Sequence, residues 1–164
     1  MKRLEYRDQL LIRLAIESGL RISDLLKLKV GDVKAKMTIF ETKSKRERTF
    51  KLSKQLYDDL RAWTRYRRRG LLLFAGNRGN EKAVHRSTVH RRIKKALQGL
   101  GFDMSAHSTR KLYAHNVFSE THDLQKVQNA LNHKNLETTL AYLNIDTEFF
   151  AKFIVLQKES ATNE

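Results

Sequence analysis

The chain has 164 residues, of which 40% are hydrophobic, so it is long enough for one packed domain and too apolar for a disordered basic tail. It carries 33 lysine and arginine residues against 18 acidic residues, a formal net charge of +15, which points to a polyanionic partner such as nucleic acid. The absence of cysteine excludes disulfides, thiolate metal sites and a cysteine nucleophile.

The first part of the chain predicts helices separated by one β-hairpin. An apolar stripe predicts a long first helix, which Gly19 would end in the left-handed conformation. Alternating apolar and polar residues then predict two strands joined by a charged tip at residues 43–47. The expected elements are helices over 5–18 and 23–28, strands over 37–42 and 48–52, and a helix over 54–69.

The second part of the chain predicts helices only. Ser87, Ser105, Asp123 and Asn135 are expected helix N-caps, because their side-chain oxygens can accept hydrogen bonds from first-turn amides. The whole pattern therefore predicts a mainly α protein with a small antiparallel β-sheet, an α+β fold. The expected helices run over 87–100, 105–119, 123–131, 135–143 and 147–157.

The positive charge is concentrated in one block. Residues 34–111 hold 22 basic and 6 acidic residues, whereas the rest of the chain holds 11 and 12. Such a block predicts a surface that docks phosphates, although a ribosomal-type or other structural binder would have the same composition. No stretch approaches the roughly 20 apolar residues of a membrane span, which predicts a cytoplasmic protein.

Several polar residues have two interpretations when each is taken alone. His107 and Arg110 share one face of a predicted helix, and that face continues through Ala114 as the buried stripe. A buried arginine needs an anion, which would be either an internal carboxylate or an external ligand. Arg21 and Lys43 are, singly, ordinary surface cations. The histidines lack the spacing of metal ligands, so no metal site is expected.

Four motifs in order resemble the signature boxes of the tyrosine recombinase, or phage integrase, family. Gly19–Leu28 is similar to its first box, His107–Arg110 to its H-x-x-R box, and Leu131–Tyr142 to its closing L-G-H…T-T…Y box. The hairpin Thr42–Arg48 resembles the family's G-K-G-x-K-x-R hairpin, and the resemblance covers about residues 5–156. The chain departs from the pattern at four positions: Asp24 for glutamate, Ser44 and Asn132 for glycine, and Lys111 for histidine.

The resemblance implies the family's catalytic-domain fold and a site-specific recombinase that needs no metal and no cofactor. Tyr142 would attack a DNA phosphodiester and form a 3′-phosphotyrosine intermediate, with His107 taking the phenolic proton. Lys43 would be the general acid, although Lys45 competes for that role because Ser44 replaces a glycine. The expected catalytic set is Arg21, Lys43, His107, Arg110, His133 and Tyr142. The expected DNA contacts are Lys45, Arg46, Arg48, Arg86, Arg91, Arg92, Lys94, Lys95 and Lys111.

The resemblance also implies partners and domain organisation. Duplex DNA is the expected partner, with self-association into a tetramer on DNA, and the gene would belong to a prokaryote, phage or mobile element, its product associating with the nucleoid. The chain is expected to be a single catalytic domain, 1–164, with a core over about 5–146. The helix over 147–158 would pack on its own core or dock into a neighbouring protomer. The family's N-terminal DNA-binding domain is not expected here, which predicts an excised domain or a naturally minimal recombinase. The alternatives are a basic DNA-binding protein without catalysis and a type IB topoisomerase-like relaxing enzyme.

Overall fold

The computed structural model describes residues 4–76, 83–97, 106–133 and 135–143, and it describes residues 96, 97, 106, 107, 141 and 142 by their backbone only. Helices make up most of this part of the chain, together with one antiparallel hairpin, which confirms the expected mainly α fold with a small sheet. The helices are α1 (Tyr6–Ser18), α2 (Ile22–Leu25), α3 (Lys54–Thr64), α4 (Arg86–Leu97), α5 (Ala106–Thr121), α6 (Leu124–Leu131) and α7 (Leu136–Leu143). A 3₁₀ turn spans Val30–Asp32, and the strands are β1 (Lys36–Glu41) and β2 (Arg46–Lys51).

The hairpin has one buried face, which ends in a carboxylate. Residues Met37, Ile39 and Glu41 of β1 are buried, and the residues between them are exposed, as the period of two in a strand requires. Glu41 pairs with Arg46, so β2 starts earlier than expected and the tip is the shorter turn 42–45. Lys45 closes that turn at a φ of 55°, and its amide donates to the carbonyl of Glu41 at 2.9 Å.

Two hydrophobic clusters meet at α5. The larger one surrounds α1, whose Leu10, Leu11 and Leu14 are fully buried, and it includes Leu112 of α5. The smaller one joins α5, α6 and α7 through Ala114 together with two buried α6 residues. Since α5 contributes to both clusters, the beginning of this helix lies between the end of α1 and the end of α6.

Three helix boundaries can be compared with their predictions, and one of the three is confirmed. Asp123 caps α6 as expected, because its Oδ1 accepts from the amides of residues 125 and 126 at 2.8 and 3.2 Å. The expected cap Ser87 is wrong: α4 begins at Arg86, and the carbonyl of His85 accepts the first amides of the helix. The expected end of α3 at residue 69 is also wrong, since the helix ends at Thr64.

The early end of α3 is accompanied by side-chain hydrogen bonds to the residues that follow the helix. The guanidinium of Arg67 donates to the carbonyls of Leu72 and Leu73 at 2.7 and 2.8 Å, which folds the chain back after the helix. The expected cap Ser105 and the expected last helix over 147–157 lie outside the described residues. Among the residues that are described, no helix is long and apolar enough to cross a bilayer.

Candidate active site

Arg21 is positioned by the sharp junction between α1 and α2. Gly19 ends α1 at a φ of 62°, as predicted, and a Cβ at this position would lie 2.2 Å from the ring of Tyr113. Only glycine fits both restrictions. Two residues later the carbonyl of Arg21 accepts the amides of Asp24 and Leu25 at 2.9 and 3.1 Å, so Arg21 is the N-cap of α2. The side chain therefore leaves a backbone that is fixed on both sides.

The carboxylate of Glu41 joins three separate segments of the chain. Its side chain has no exposed surface. Arg21 Nη1 donates to Glu41 Oε2 at 3.0 Å, and Asn132 Nδ2 donates to Glu41 Oε1 at 3.1 Å. Arg48 Nη1 lies 3.6 Å from the same Oε1. The start of α2, the hairpin and the end of α6 thus meet at one buried carboxylate, which we call the Glu41 cluster (Arg21, Glu41, Arg48 and Asn132).

Arg48, one of the expected DNA contacts, is directed into the protein. It is opposite Ile39 in the hairpin register, on the buried face, and its side chain is only 8% exposed. Its guanidinium lies 4.9 Å from the centre of the Tyr113 ring, and neither Nη atom has a hydrogen-bond partner among the residues that the structure describes. Two guanidiniums around one carboxylate leave the Glu41 cluster with a formal charge of +1, so Glu41 does not cancel the charge of Arg21.

Arg110 connects the ends of two helices. The side chain is buried, and its Nη1 donates to the carbonyl of Gly19 at 2.7 Å. Its Nη2 donates to the carbonyl of Leu131, the last residue of α6. Carbonyls at a helix C-terminus lack helical partners and carry the negative end of the helix dipole, which favours a cation there. The sequence left an internal carboxylate and an external ligand open as partners of Arg110, and both of these bonds are made to backbone carbonyls.

His133 follows the left-handed residue that ends α6. Asn132 has a φ of 53° and a ψ of 41°, a conformation that asparagine tolerates better than most residues. His133 Nδ1 then lies 3.2 Å from Oγ1 of the buried Thr139 in α7. The pKa of His133 is lowered, first by burial and then by the positive charges of Arg110 and Arg21. Arg21, Arg110 and His133, which are far apart in sequence, therefore share one site.

Lys43 lies in the hairpin turn, which is tied to α2. Thr42 accepts a hydrogen bond from Lys27 Nζ at 2.7 Å, and the Thr42 amide donates to Asp24 Oδ1 at 3.4 Å. Lys43 and Lys45 are both exposed, so the geometry of the turn leaves the choice of general acid open. Asp24 thus contacts the turn, while the carboxylate bonded to Arg21 is that of Glu41.

The side chains of His107 and Tyr142 lie outside the described residues, whereas their backbones belong to α5 and α7. Position 107 is one turn before Arg110. Position 142 is three residues after Thr139 and therefore on the same helix face. Both α5 and α7 pack against α6, which carries His133 at its end.

The expected DNA contacts differ in how far their side chains are exposed. Arg92 departs from the expectation, because its Nη1 lies 3.2 Å from Asp8 Oδ2 and 3.7 Å from Glu5 Oε2, an internal ion pair on the side of α4 that faces α1. Lys111 is half-buried. The other expected contacts, apart from Arg48, have exposed side chains: Lys45, Arg46, Arg86, Arg91, Lys94 and Lys95.

Two site residues, Glu41 and Asn132, were not among the sequence predictions. The alternation of β1 was a usable signal for the first, since it places Glu41 on the buried face, where a carboxylate needs a cation. Nothing local in the sequence pairs it with Asn132, which is 91 residues away. Within the described ranges, no group of three or more histidine, aspartate or glutamate side chains could hold a metal ion.

The chain is similar to known integrases and recombinases. The sequence model of the phage integrase family matches residues 1–148. The chain is 30% identical over 145 residues to the probable integrase/recombinase YoeC of Bacillus subtilis (strain 168), covering 87% of this chain and 80% of YoeC. It is 31% identical over 156 residues to the tyrosine recombinase XerC of Chromohalobacter salexigens, covering 90% of this chain and 51% of XerC. The chain thus spans about half the length of that relative.

Solved structures show the same fold. The catalytic domain of bacteriophage HP1 integrase matches with a TM-score of 0.56 and 25% identity, over 81% of this chain and 71% of that one. A XerH site-specific recombinase bound to its difH substrate matches with a TM-score of 0.69 and 24% identity, over 90% of this chain and 46% of that one.

Proposed function

Because the chain belongs to the phage integrase family, we propose that it is the catalytic domain of a site-specific tyrosine recombinase. It cleaves and rejoins DNA strands through a covalent 3′-phosphotyrosine intermediate. The observation that carries this proposal is the convergence of Arg21, which belongs to the Glu41 cluster, with Arg110 and His133. Three separated motifs form a cationic site there, next to the helix that carries position 142.

The two arginines bind the scissile phosphate. Attack on a phosphodiester passes through a five-coordinate transition state with extra negative charge on its nonbridging oxygens. Planar guanidiniums match that geometry, and each preorganised donor contributes on the order of 10²-fold in rate. Arg48 shares the charge of Glu41, so Arg21 keeps its attraction for phosphate while Glu41 holds its position. The carbonyl bonds of Arg110 restrict its guanidinium in the same way.

Tyr142 is the proposed nucleophile. A free phenol has a pKa of about 10, so it needs activation at neutral pH. The positive field of the site favours the phenolate, and His107 accepts its proton. His133 adds a hydrogen bond to the phosphate from its Nε2, because its Nδ1 is engaged by Thr139. Lys43, on the exposed hairpin turn, protonates the 5′-oxygen that leaves.

The reaction proceeds without a metal or cofactor, because fixed cations meet the charge that a metal would otherwise meet. Duplex DNA is the proposed partner, a proposal supported by the XerH structure with its difH substrate and by a lambda integrase dimer bound to a COC′ core site. The protein assembles as a tetramer on DNA. The proposed backbone contacts are the exposed cations Lys45, Arg46, Arg86, Arg91, Lys94 and Lys95, together with Lys111.

A covalent-adduct assay tests the proposal. The protein is incubated in EDTA with nicked duplexes taken from the DNA that flanks its gene, and denatured samples are resolved by electrophoresis. We expect a protein–DNA adduct from the wild type and from Tyr66→Phe, whose tyrosine is 89% exposed, and none from Tyr142→Phe. An adduct from Tyr142→Phe at the wild-type level would refute the proposed nucleophile.

The same experiment separates the alternatives. Salt-sensitive binding of duplex without an adduct on any site would favour a non-catalytic DNA-binding protein. An adduct accompanied by plasmid relaxation, but with no exchange between two sites, would favour the topoisomerase-like enzyme.

A further inference from the structure

A strongly basic pocket lies between the 3₁₀ turn and the end of α3. Its volume is about 440 Å³, and none of the ten described residues that line it is acidic. None of them belongs to the Glu41 cluster or to the proposed catalytic set. Five of the lining residues are cations: Lys34, Arg61, Arg65, Arg67 and Arg69.

Backbone hydrogen bonds hold the two walls of this arginine pocket together. The amides of Val30 and Gly31 donate to the carbonyls of Leu71 and Arg69, both at 2.9 Å. The walls are so close at this point that a Cβ on Gly31 would lie 3.2 Å from the Arg69 carbonyl oxygen. The backbone therefore fixes the position of the two walls, and the long basic side chains extend from these walls.

The acidic residues nearest to the pocket in sequence have other partners. Asp58 lies 2.7 Å from Lys54 Nζ, and Asp59 lies 2.6 Å from Arg13 Nη1. Asp32 accepts the amide of Lys29 at 2.8 Å. The pKa of Arg67 is lowered, first by burial and then by the positive charge of Arg7, which does not line the pocket.

We propose that the arginine pocket, which contains none of the proposed catalytic residues, binds phosphate groups of duplex DNA. This inference rests on the proposed function, because that function brings duplex DNA to the protein. The DNA backbone carries one charge per roughly 1.7 Å of helix axis, so it can engage several cations at once. Four of the five cations are arginines, whose planar donors match phosphate oxygens. Arg61 lies in the last turn of α3 and the other three follow the end of the helix, where its dipole favours cations.

Salt-dependent binding tests the pocket with a matched control. Arg65 and Arg69 line the pocket, whereas Arg68 is equally an exposed arginine of the same segment and does not line it. Binding of a labelled 30-base-pair duplex is measured by fluorescence anisotropy over a range of salt concentrations. Each lost phosphate contact should lower the slope of log affinity against log salt by about 0.9. We expect this change in Arg65→Gln and in Arg69→Gln, and the wild-type slope in Arg68→Gln. Equal slopes in all three variants would overturn the proposal.

An NMR titration identifies the source of the phosphate. The Gly31 amide, which is bonded to Arg69, reports on the pocket wall. A shift of its signal with duplex DNA that is weakened in Arg69→Gln supports the proposal, and a shift with inorganic tripolyphosphate alone assigns the pocket to free polyphosphates. An equal shift with polyglutamate would overturn it in favour of an acidic protein, and no shift with any of them would overturn it outright.

The adduct assay keeps this test separate from the proposed function. Arg68→Gln, which alters no lining residue of the pocket and no proposed catalytic residue, should form the covalent adduct with a short nicked duplex as the wild type does. If Arg65→Gln and Arg69→Gln kept the wild-type salt slope while the wild type formed the adduct, the proposed role of the pocket would be refuted. The proposed recombinase function would still stand.

Discussion

Replacing Glu41 with glutamine removes the negative charge at the centre of the Glu41 cluster and keeps the shape of the side chain. The glutamine would leave the guanidiniums of Arg21 and Arg48 around a neutral group, and Arg48 is only 8% exposed. Removing one partner of a buried ion pair costs about 3–5 kcal/mol. Because Arg21 is 28% exposed and can turn toward solvent, we expect the lower end of that range, about 3 kcal/mol.

Two measurements follow from this substitution. Urea unfolding should show the loss as a lower midpoint, and thermal unfolding should show it as a Tm about 6–12 °C lower. Adduct formation should slow by about 10-fold even at saturating DNA, because Arg21 loses the bond that orients it toward the phosphate. The added substitution Arg48→Met should recover part of the stability, with a coupling free energy of about 1–3 kcal/mol.

Glu47→Gln is the matched control, since Glu47 is in the same hairpin with an exposed side chain. We expect it to change the unfolding free energy by less than about 0.5 kcal/mol. Equal unfolding midpoints and equal adduct rates for the two variants would refute the reasoning. They would mean that the buried carboxylate of Glu41 neither stabilises the fold nor orients Arg21.

Three further predictions concern the surroundings of the cluster. The lowered pKa of His133 means that the folded state resists its protonation, so the unfolding free energy should decrease as the pH falls below about 6.5 and continue to do so through the lower folded pKa. His133→Gln should remove this part of the pH dependence, and a histidine NMR titration that gave His133 an ordinary pKa would contradict the prediction. Gly19→Ala should destabilise the protein by at least about 3 kcal/mol in urea unfolding, because a positive φ and contact with the Tyr113 ring both oppose a Cβ; a cost under about 1 kcal/mol would show that the junction can relax. Asn132→Ala should cost about 1 kcal/mol more than Asn132→Gly, since both lose the bond to Glu41 but only alanine resists the left-handed conformation, and the reverse order of unfolding midpoints would exclude this explanation.

Elements whose determinants are local could be predicted from the sequence. The apolar stripe and Gly19 gave the bounds of α1 to within one residue, and Asp123 marked the start of α6, because periodicity and caps act over a few neighbouring residues. The end of α3 could not be predicted, since it depends on Arg67 reaching carbonyls beyond the helix. The left-handed Lys45 that shortens the hairpin tip was not indicated either, because lysine has no preference for that conformation.

The candidate site divides in the same way. The motifs identified Arg21, Arg110 and His133, which the fold brings together. The burial of Arg48 and the pairing of Arg92 with Asp8, 84 residues away, could not be predicted from composition. A basic block shows how many cations are present, whereas tertiary contacts decide which of them are neutralised inside the protein and which stay exposed to DNA.

The attachment site of the covalent adduct tests the proposed function most directly. Wild-type protein trapped on a nicked duplex is digested with nuclease and protease, and the modified peptide is identified by mass spectrometry. We expect a nucleotide linked through its 3′-phosphate to Tyr142. A linkage to another residue, or through a 5′-phosphate, would contradict the proposed mechanism.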